Sequence, residues 1–296
     1  MVDDPPSHSI AFSIPREGRM CLDLAFIGID RLLLHEETIP QVLHALTEEI
    51  ERDGILEDPV IVDRETLVVL DGMHRVKALR RLGCKLMPVC LVDYSSPEIR
   101  VERWCRTAKD EERLEELMQH IQRRELKVKA TPIDEAKRLL EEKKAVGVLE
   151  TRAGSYALLS ERAMDVFSSF RAIGEVEEDL RAEGFEVGYE TEQDAEKKLR
   201  RRAVDAVILP PKIEKREVIE NVMKGDVFIP KATRHIIPAR PLGIGIPLSL
   251  LRAERLSPKE AEEACSKLLK ERTVKRISPG SLWKGRRYDE ELFVFE

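Results

Sequence analysis

Leu70-Asp71-Gly72-Met73-His74-Arg75 lies between an apolar run, Leu67-Val68-Val69, and a helical pattern from Val76 to Gly83. The order reads as a strand that ends in an acid, turns on a glycine and enters a helix with a histidine and an arginine in its first turn. A helix start points amide groups without intrahelical acceptors, and a partial positive charge, at whatever lies beyond it, which favours anions and above all phosphate. Arg75 carries a planar fork of donors suited to phosphate oxygens. His74 can donate one or two hydrogen bonds, Gly72 lets the backbone come close, and Asp71 could hold a metal ion. The segment reads as a polyphosphate site. In the plainer alternative Asp71 caps the helix and Arg75 pairs with a surface acid; the position directly after an apolar strand favours the first reading.

Three further groups could do chemistry. His35-Glu36-Glu37 follows Leu32-Leu33-Leu34 and precedes a helix start, so a carboxylate there could face a cleft as a general base or simply lie in a solvated loop. Thr233, Arg234 and His235 stand together between Pro230 and Pro238. Prolines stiffen a loop, and a stiff loop presents its side chains in fixed directions to a carboxylate or phosphate. Trp104 ends an expected strand, Ile99 to Arg103, as core or as a platform for a ligand. The basic run Lys197 to Arg202 shares a helix with Glu192, Asp194 and Glu196 and reads as a solvated face.

The elements that must position these groups alternate. Strands are expected around Ile10 to Ile14, Leu22 to Ile29, Pro59 to Asp63, Leu67 to Leu70 and Met87 to Val92, with a hairpin at Arg64-Glu65-Thr66. Thr38-Ile39-Pro40-Gln41 predicts a helix with threonine as its cap, closed by Asp53-Gly54. The first hundred residues thus form a small α/β unit with mixed strands. Residues 109–145 read as strongly helical. Strands follow at Val146 to Leu149, Tyr156 to Leu159, Phe185 to Tyr189, Ala206 to Leu209 and Leu292 to Phe295, with helices over Ala163 to Gly184, from Thr191 and from Ser257. The expected division is 1–108 and 109–296, the second part a larger α/β domain that completes the site.

Composition narrows the classes. The 296 residues include 42% apolar and 36% charged side chains, with a net charge of −6. A general nucleic-acid binder usually shows a basic excess, so such a partner is not expected. No apolar run is long enough to span a membrane, and the polar, proline-containing start lacks a signal-peptide pattern; the expectation is a cytoplasmic protein without a membrane partner. The five cysteines form no CxxC pair, which argues against a zinc site or a disulfide framework. Oligomeric state is not written in the sequence, with a lean to a monomer.

The strand–DGMHR–helix unit resembles the ParB/sulfiredoxin superfamily, and within it the free L-serine kinases. The resemblance rests on four blocks in one order: Leu34-His35-Glu36; Val69 to Arg75 with Leu82-Gly83 and Pro88-Val89; Trp104; and Thr233-Arg234-His235 with Ile246-Pro247-Leu248. It implies phosphoryl transfer from ADP or ATP, with Mg²⁺, to the hydroxyl of free L-serine. It implies Glu36 as base, with Glu37 as second choice, and catalytic roles for Asp71, near the metal, and His74. Gly72, Met73, His74 and Arg75 would hold the nucleotide phosphates, while Trp104, Thr233, Arg234 and His235 would bind serine. Two other readings within the superfamily fit less well. Sulfiredoxin chemistry needs a cysteine where Met73 stands. A ParB-like DNA-binding protein would show a GERR-type motif and a recognition helix, neither of which is evident, and the joint presence of Glu36, Asp71, His74 and Arg75 speaks against a regulatory protein that has lost catalysis.

Overall fold

The computed structural model describes residues 10–16, 18–110, 113–162, 164–253 and 256–296; the start of the N-terminal arm, residues 1–9, lies outside them. The chain divides into unit 1, residues 1–100 and 235–296, and unit 2, residues 101–234.

Unit 1 opens with β1 (Ile10–Ile14), β2 (Leu22–Gly28), a 3-10 turn at Ile29–Arg31, β3 (Leu33–Leu34), α1 (Pro40–Asp53), β4 (Ile55–Leu56), β5 (Val60–Asp63), β6 (Val68–Asp71), α2 (Met73–Arg81) and β7 (Leu86–Val92). Six of these strands form one sheet in the order β1-β2-β7-β5-β6-β3. The β5–β7 and β3–β6 pairs are parallel and the others antiparallel. β5 and β7 lie in the middle and are buried along their whole length, which is why Val60-Ile61-Val62 and Leu86 to Val92 are continuous apolar runs rather than alternating ones. The expected hairpin over residues 59–70 forms, with the Thr66 amide donating to the side-chain Oδ2 of Asp63 at 3.1 Å.

α1 starts differently from expectation. Its N-cap is Ile39 rather than Thr38, no side chain caps it, and Pro40 occupies the first turn. The Ile39 amide donates instead to Nε2 of His74 at 3.0 Å. A tertiary acceptor has replaced the local one. The other end follows the sequence, with Gly54 at φ 69°, a backbone state that glycine adopts without a Cβ penalty.

The chain enters unit 2 within β8 (Arg100–Arg103) and continues through β9 (Cys105–Lys109), α3 (Leu114–Arg123), β10 (Leu126–Ala130), α4 (Ile133–Glu141), β11 (Gly147–Thr151), β12 (Gly154–Ser160), α5 (Val166–Ala182), β13 (Glu186–Glu190), α6 (Glu192–Arg200), β14 (Ala206–Leu209) and α7 (Lys215–Lys224). Its sheet, ordered β10-β12-β11-β14-β9-β13, is antiparallel throughout. Alternate residues build two cores. Leu149, Leu158 and Ile208 pack with Leu117 and Ile121 of α3 and Ile173 and Leu180 of α5. Val148, Ala157 and Val207 pack with Leu140 of α4 and Leu199 of α6. The two-residue period of a strand sends neighbours to opposite faces. Residues 109–145 are not continuously helical, because Leu126, Val128 and Ala130 alternate with lysines and form the edge strand β10.

The chain leaves unit 2 within β15 (Thr233–Ile236) and ends in unit 1 with β16 (Ala239–Leu242), β17 (Ile246–Pro247), α8 (Leu248–Arg252), α9 (Pro258–Lys270), β18 (Val274–Ile277), β19 (Leu282–Trp283), β20 (Arg286–Arg287) and β21 (Glu291–Phe295). Strands β16, β21 and β18 form a second, small sheet, and β17 pairs with β4. The division expected at residue 108 is corrected in two ways. Residue 108 falls inside β9, a buried strand of the six-stranded sheet of unit 2, and residues 235–296 return to unit 1 to pair with elements of the first hundred residues. Among the described residues no helix is long and apolar enough to cross a membrane.

Cys84, Cys90, Cys105 and Cys265 are buried and Cys21 is exposed. Burial pushes the Cys90, Cys105 and Cys265 thiols up to about 12, so they are not nucleophilic at neutral pH. A soluble thiol reagent should modify one cysteine per native chain and all five after denaturation, as read by mass spectrometry. Rapid native modification of two or more would contradict this packing.

Candidate functional site

The corner after β6 is built around Gly72. Its φ is 101°, and a Cβ there would stand 2.5 Å from Cγ1 of Val60 and 2.9 Å from Nη2 of Arg75. Only glycine fits both the backbone state and the space. The helix is capped by Gly72 itself, without a side-chain cap, so Asp71 is not the cap of the plainer reading. The first backbone bond of α2 runs from the Val76 amide to Gly72 O at 3.1 Å, and the amides before it lie at the exposed start of the helix. Residues 71 to 75 are all partly accessible.

Asp71 is held from two sides. Nη2 of Arg75 donates to its Oδ2 at 3.0 Å, and Nη1 of Arg240 donates to the same atom at 2.8 Å. Arg240 arrives from β16 and also pairs with Glu290. Burial works against the charge of Arg240, but Asp71 and Glu290 outweigh it and leave the guanidinium above its ordinary pKa. Two fixed cations stabilise Asp71 as a carboxylate. Arg75 is a brace in this structure rather than an open fork, because Nη1 donates to the carbonyls of Asp58 and Pro59. Arg240 was missed in the sequence, although a single arginine inside Ala239-Arg240-Pro241-Leu242 is a readable signal: a charge in a buried strand demands a partner.

His74 has its protonation state written in its contact. An amide N–H can only donate, so Nε2 of His74 accepts from Ile39 and the ring is neutral, with its proton on Nδ1. This bond joins the corner to the segment that carries Glu36. The two are joined a second time by the parallel register Leu33↔Val68 and Leu34↔Val69, two residues beyond which stand Glu36 and Asp71. His35 adds a third link, its Nδ1 lying 2.7 Å from Val69 O. A carbonyl only accepts, so Nδ1 carries the hydrogen and Nε2 faces Oε1 of Glu36 at 3.6 Å. Glu36 is 5% exposed whereas Glu37 lies at the surface. Behind them His35 and His235 meet edge to face at 5.1 Å between ring centroids, and the Tyr94 hydroxyl lies 2.8 Å from Nε2 of His235.

Arg80 secures the approach to this segment. Its Nη2 donates to Ile29 O at 3.0 Å and to Leu32 O at 2.8 Å, while its buried Nε has no partner. Arg80→Met should destabilise the fold by about 1–3 kcal/mol, since two carbonyls lose their donor. Arg80→Lys should restore part of that. Urea denaturation checks both, and an unchanged midpoint for Arg80→Met would contradict the assignment.

The remaining expected residues divide between the units. Trp104, Thr233 and Arg234 belong to unit 2 and His235 to unit 1. Thr233, Arg234 and His235 form a strand rather than a loop, with Thr233 and His235 buried and Arg234 partly exposed between them. In unit 2 Arg234 pairs with Glu102, and its Cζ lies 5.6 Å from the Trp104 ring centroid. Among the described residues no three His, Cys, Asp or Glu side chains stand together as a metal site. A lone carboxylate such as Asp71 would fit a magnesium ion that is ligated mainly by phosphates and water.

A mixed-strand unit with this strand–DGMHR–helix corner, joined to a second α/β unit, is the ParB/sulfiredoxin-like class of fold. Within that class the chain is a homologue of the L-serine kinases. It is 28% identical over 239 residues to the ADP-dependent L-serine kinase of Thermococcus kodakarensis, covering 78% of this chain and 93% of that one. It is 28% identical over 239 residues to the ATP-dependent L-serine kinase of Staphylothermus marinus, covering 76% and 90%. A solved free serine kinase in complex with AMP superposes with a TM-score of 0.69 at 27% identity, covering 78% of this chain and 94% of that one. No family model matches the chain.

Proposed function

We propose that this chain is a free L-serine kinase that transfers the terminal phosphoryl group of ADP or ATP to the serine hydroxyl, giving O-phospho-L-serine. The observation that carries the reading is the joining of the Glu36 segment to the DGMHR corner through the Ile39 amide and His74, in a chain that is similar to serine kinases over nine-tenths of their length.

Phosphoryl transfer asks a protein for positioning and charge neutralisation more than for covalent help. The amides of Gly72, Met73, His74 and Arg75 and the Nδ1–H of neutral His74 face the nucleotide phosphates. Glu36 takes the hydroxyl proton as the serine oxygen bonds to phosphorus, and the bridging P–O bond breaks with its electron pair leaving on AMP or ADP. Asp71 would hold a magnesium ion brought with the nucleotide, and that ion would supply neutralisation of phosphate charge. Asp71 is kept ionised and fixed by Arg75 and Arg240. Trp104, Thr233, Arg234 and His235 bind the serine. The proposed setting is the cytoplasm, with free L-serine and nucleotide as the partners. Its donor is ADP or ATP, since relatives at equal identity are named for each. Incubation with Mg²⁺, L-serine and each nucleotide in turn, followed by chromatography, tests the reading. Phosphoserine with AMP as co-product identifies ADP as donor, and phosphoserine with ADP identifies ATP.

A further inference from the structure

Within unit 1, Arg240 reaches the corner from β16 with a guanidinium that the fold holds by two of its three nitrogens. Nη1 donates to Oδ2 of Asp71 at 2.8 Å, and Nε donates to Glu290. Nη2 has no acceptor among the described residues. The buried side-chain polar atoms without a partner among those residues are Nε of Arg80 and Oε1 of Glu150, so Nη2 of Arg240 is open to solvent. Arg75, the arginine of the sequence motif, spends both of its Nη atoms on Asp58, Pro59 and Asp71. The accessible Nη donor at this corner therefore belongs to Arg240.

The arginine is also held in advance. β16 pairs with β21 with Arg240 opposite Leu292, and Glu290 stands directly before β21. One small sheet thus carries both the arginine and the acid that anchors it. A guanidinium fixed in this way loses little side-chain freedom when it takes a ligand. Its place in the site follows from Asp71. The register Leu34↔Val69 brings Glu36 level with Asp71 two residues on, so the cation bonded to Asp71 stands at the end of the corner that meets the proposed base. The base and the phosphorus act on one serine oxygen, so the phosphoryl group in transfer belongs at that end. Arginine is permanently charged and suits phosphate oxygens, and charge held there is worth most as phosphoryl transfer proceeds.

We infer that Arg240 is a phosphate-binding catalytic residue whose Nη2 donates to an oxygen of the phosphoryl group in transfer, and that Glu290 is the positioning residue that anchors its guanidinium. The inference rests on the serine-kinase reading and adds a residue that lies outside the four sequence blocks.

Calorimetric titration of the full chain with ATP, ADP and AMP in EDTA reads phosphate contacts without metal or turnover. The quantity to follow is the ratio of donor to product-nucleotide affinity, ADP over AMP for an ADP-dependent enzyme and ATP over ADP for an ATP-dependent one. Arg240→Gln should lower that ratio about tenfold or more, with product-nucleotide affinity kept within about twofold. An Asp71→Asn background separates a direct contact from an effect relayed through the carboxylate, and Arg240→Gln should lower the ratio by the same factor there. Glu290→Ala should lower it in part, and not at all once Arg240 is replaced. An unchanged ratio in Arg240→Gln, equal losses for donor and product nucleotide, or no loss in the Asp71→Asn background would each overturn the inference. A Glu290→Ala effect that persists without Arg240 would remove the positioning role. If Arg240→Gln melts early, Arg240→Lys decides, since it keeps a cation beside Asp71 and Glu290 but lacks the third nitrogen; a ratio equal to that of the unchanged chain would again overturn the inference. Failure of the parent reading shows in the unchanged chain, which would make no phosphoserine, whereas failure of this inference shows in the variants of a chain that does.

Discussion

Glu36→Gln should lower kcat by about 10²–10⁴-fold, the usual contribution of a positioned general base, while leaving nucleotide KM within about twofold. The substitution removes the proton acceptor and little else. Glu36 is buried against His35, whose Nδ1 hydrogen is committed to Val69 O, so the Nε2 facing residue 36 can accept a hydrogen bond from a glutamine amide. The variant should therefore fold with an unchanged melting temperature. Glu37→Gln is the matched control, because Glu37 lies at the surface and its removal should change kcat by less than about twofold. Steady-state kinetics on both variants, with thermal melts alongside, decide the matter. Equal losses in turnover and in nucleotide binding would assign Glu36 a structural role instead.

Gly72→Ala should be the most damaging single change at the corner. The methyl group would enter at 2.5 Å from Cγ1 of Val60, in a strand that is fully buried, and at a φ of 101° that alanine strongly disfavours. Backbone strain and overpacking together should cost about 2–4 kcal/mol. The relief available is movement of Arg75 and of the first turn of α2. Arg75 braces Asp71 and the Asp58–Pro59 carbonyls, so its displacement loosens the turn proposed to hold phosphate as well. The urea midpoint should fall and the calorimetric affinity for AMP should drop by tenfold or more, about 1.4 kcal/mol. A variant with the stability and AMP affinity of the unchanged chain would refute the close approach at this glycine.

How legible the corner was depends on the range of the forces involved. Asp71, Gly72 and His74 are readable because strand, turn and helix start are local, and their chemistry follows from sequence order. The α1 boundary was less readable, since Thr38 is a good local cap but loses to a contact from His74, thirty-five residues away. Arg240 lies still further from Asp71 in the chain, and nothing near residue 71 announces it. The edge strand β10 was hidden because its lysines suit a charged helix as well as a strand that resists edge pairing. The domain boundary was misplaced for a topological reason. A chain that leaves one unit and returns to it after more than a hundred residues shows no composition shift at either crossing, whereas the pairing of β17 with β4 and the small sheet of β16, β21 and β18 show it at once. His35, read only as a neighbour of Glu36, turns out to be fully buried and tied to Val69. That role depends on parallel pairing of β3 with β6, which no local pattern encodes.

Phosphorus NMR of the purified chain with Mg²⁺, L-serine and either ADP or ATP tests the central claim most directly. The proposed function predicts a new phosphomonoester resonance that coincides with added O-phospho-L-serine and grows in step with loss of the terminal phosphate of one nucleotide. Spectra that show only unchanged nucleotide, or inorganic phosphate without phosphoserine, with both donors would contradict it.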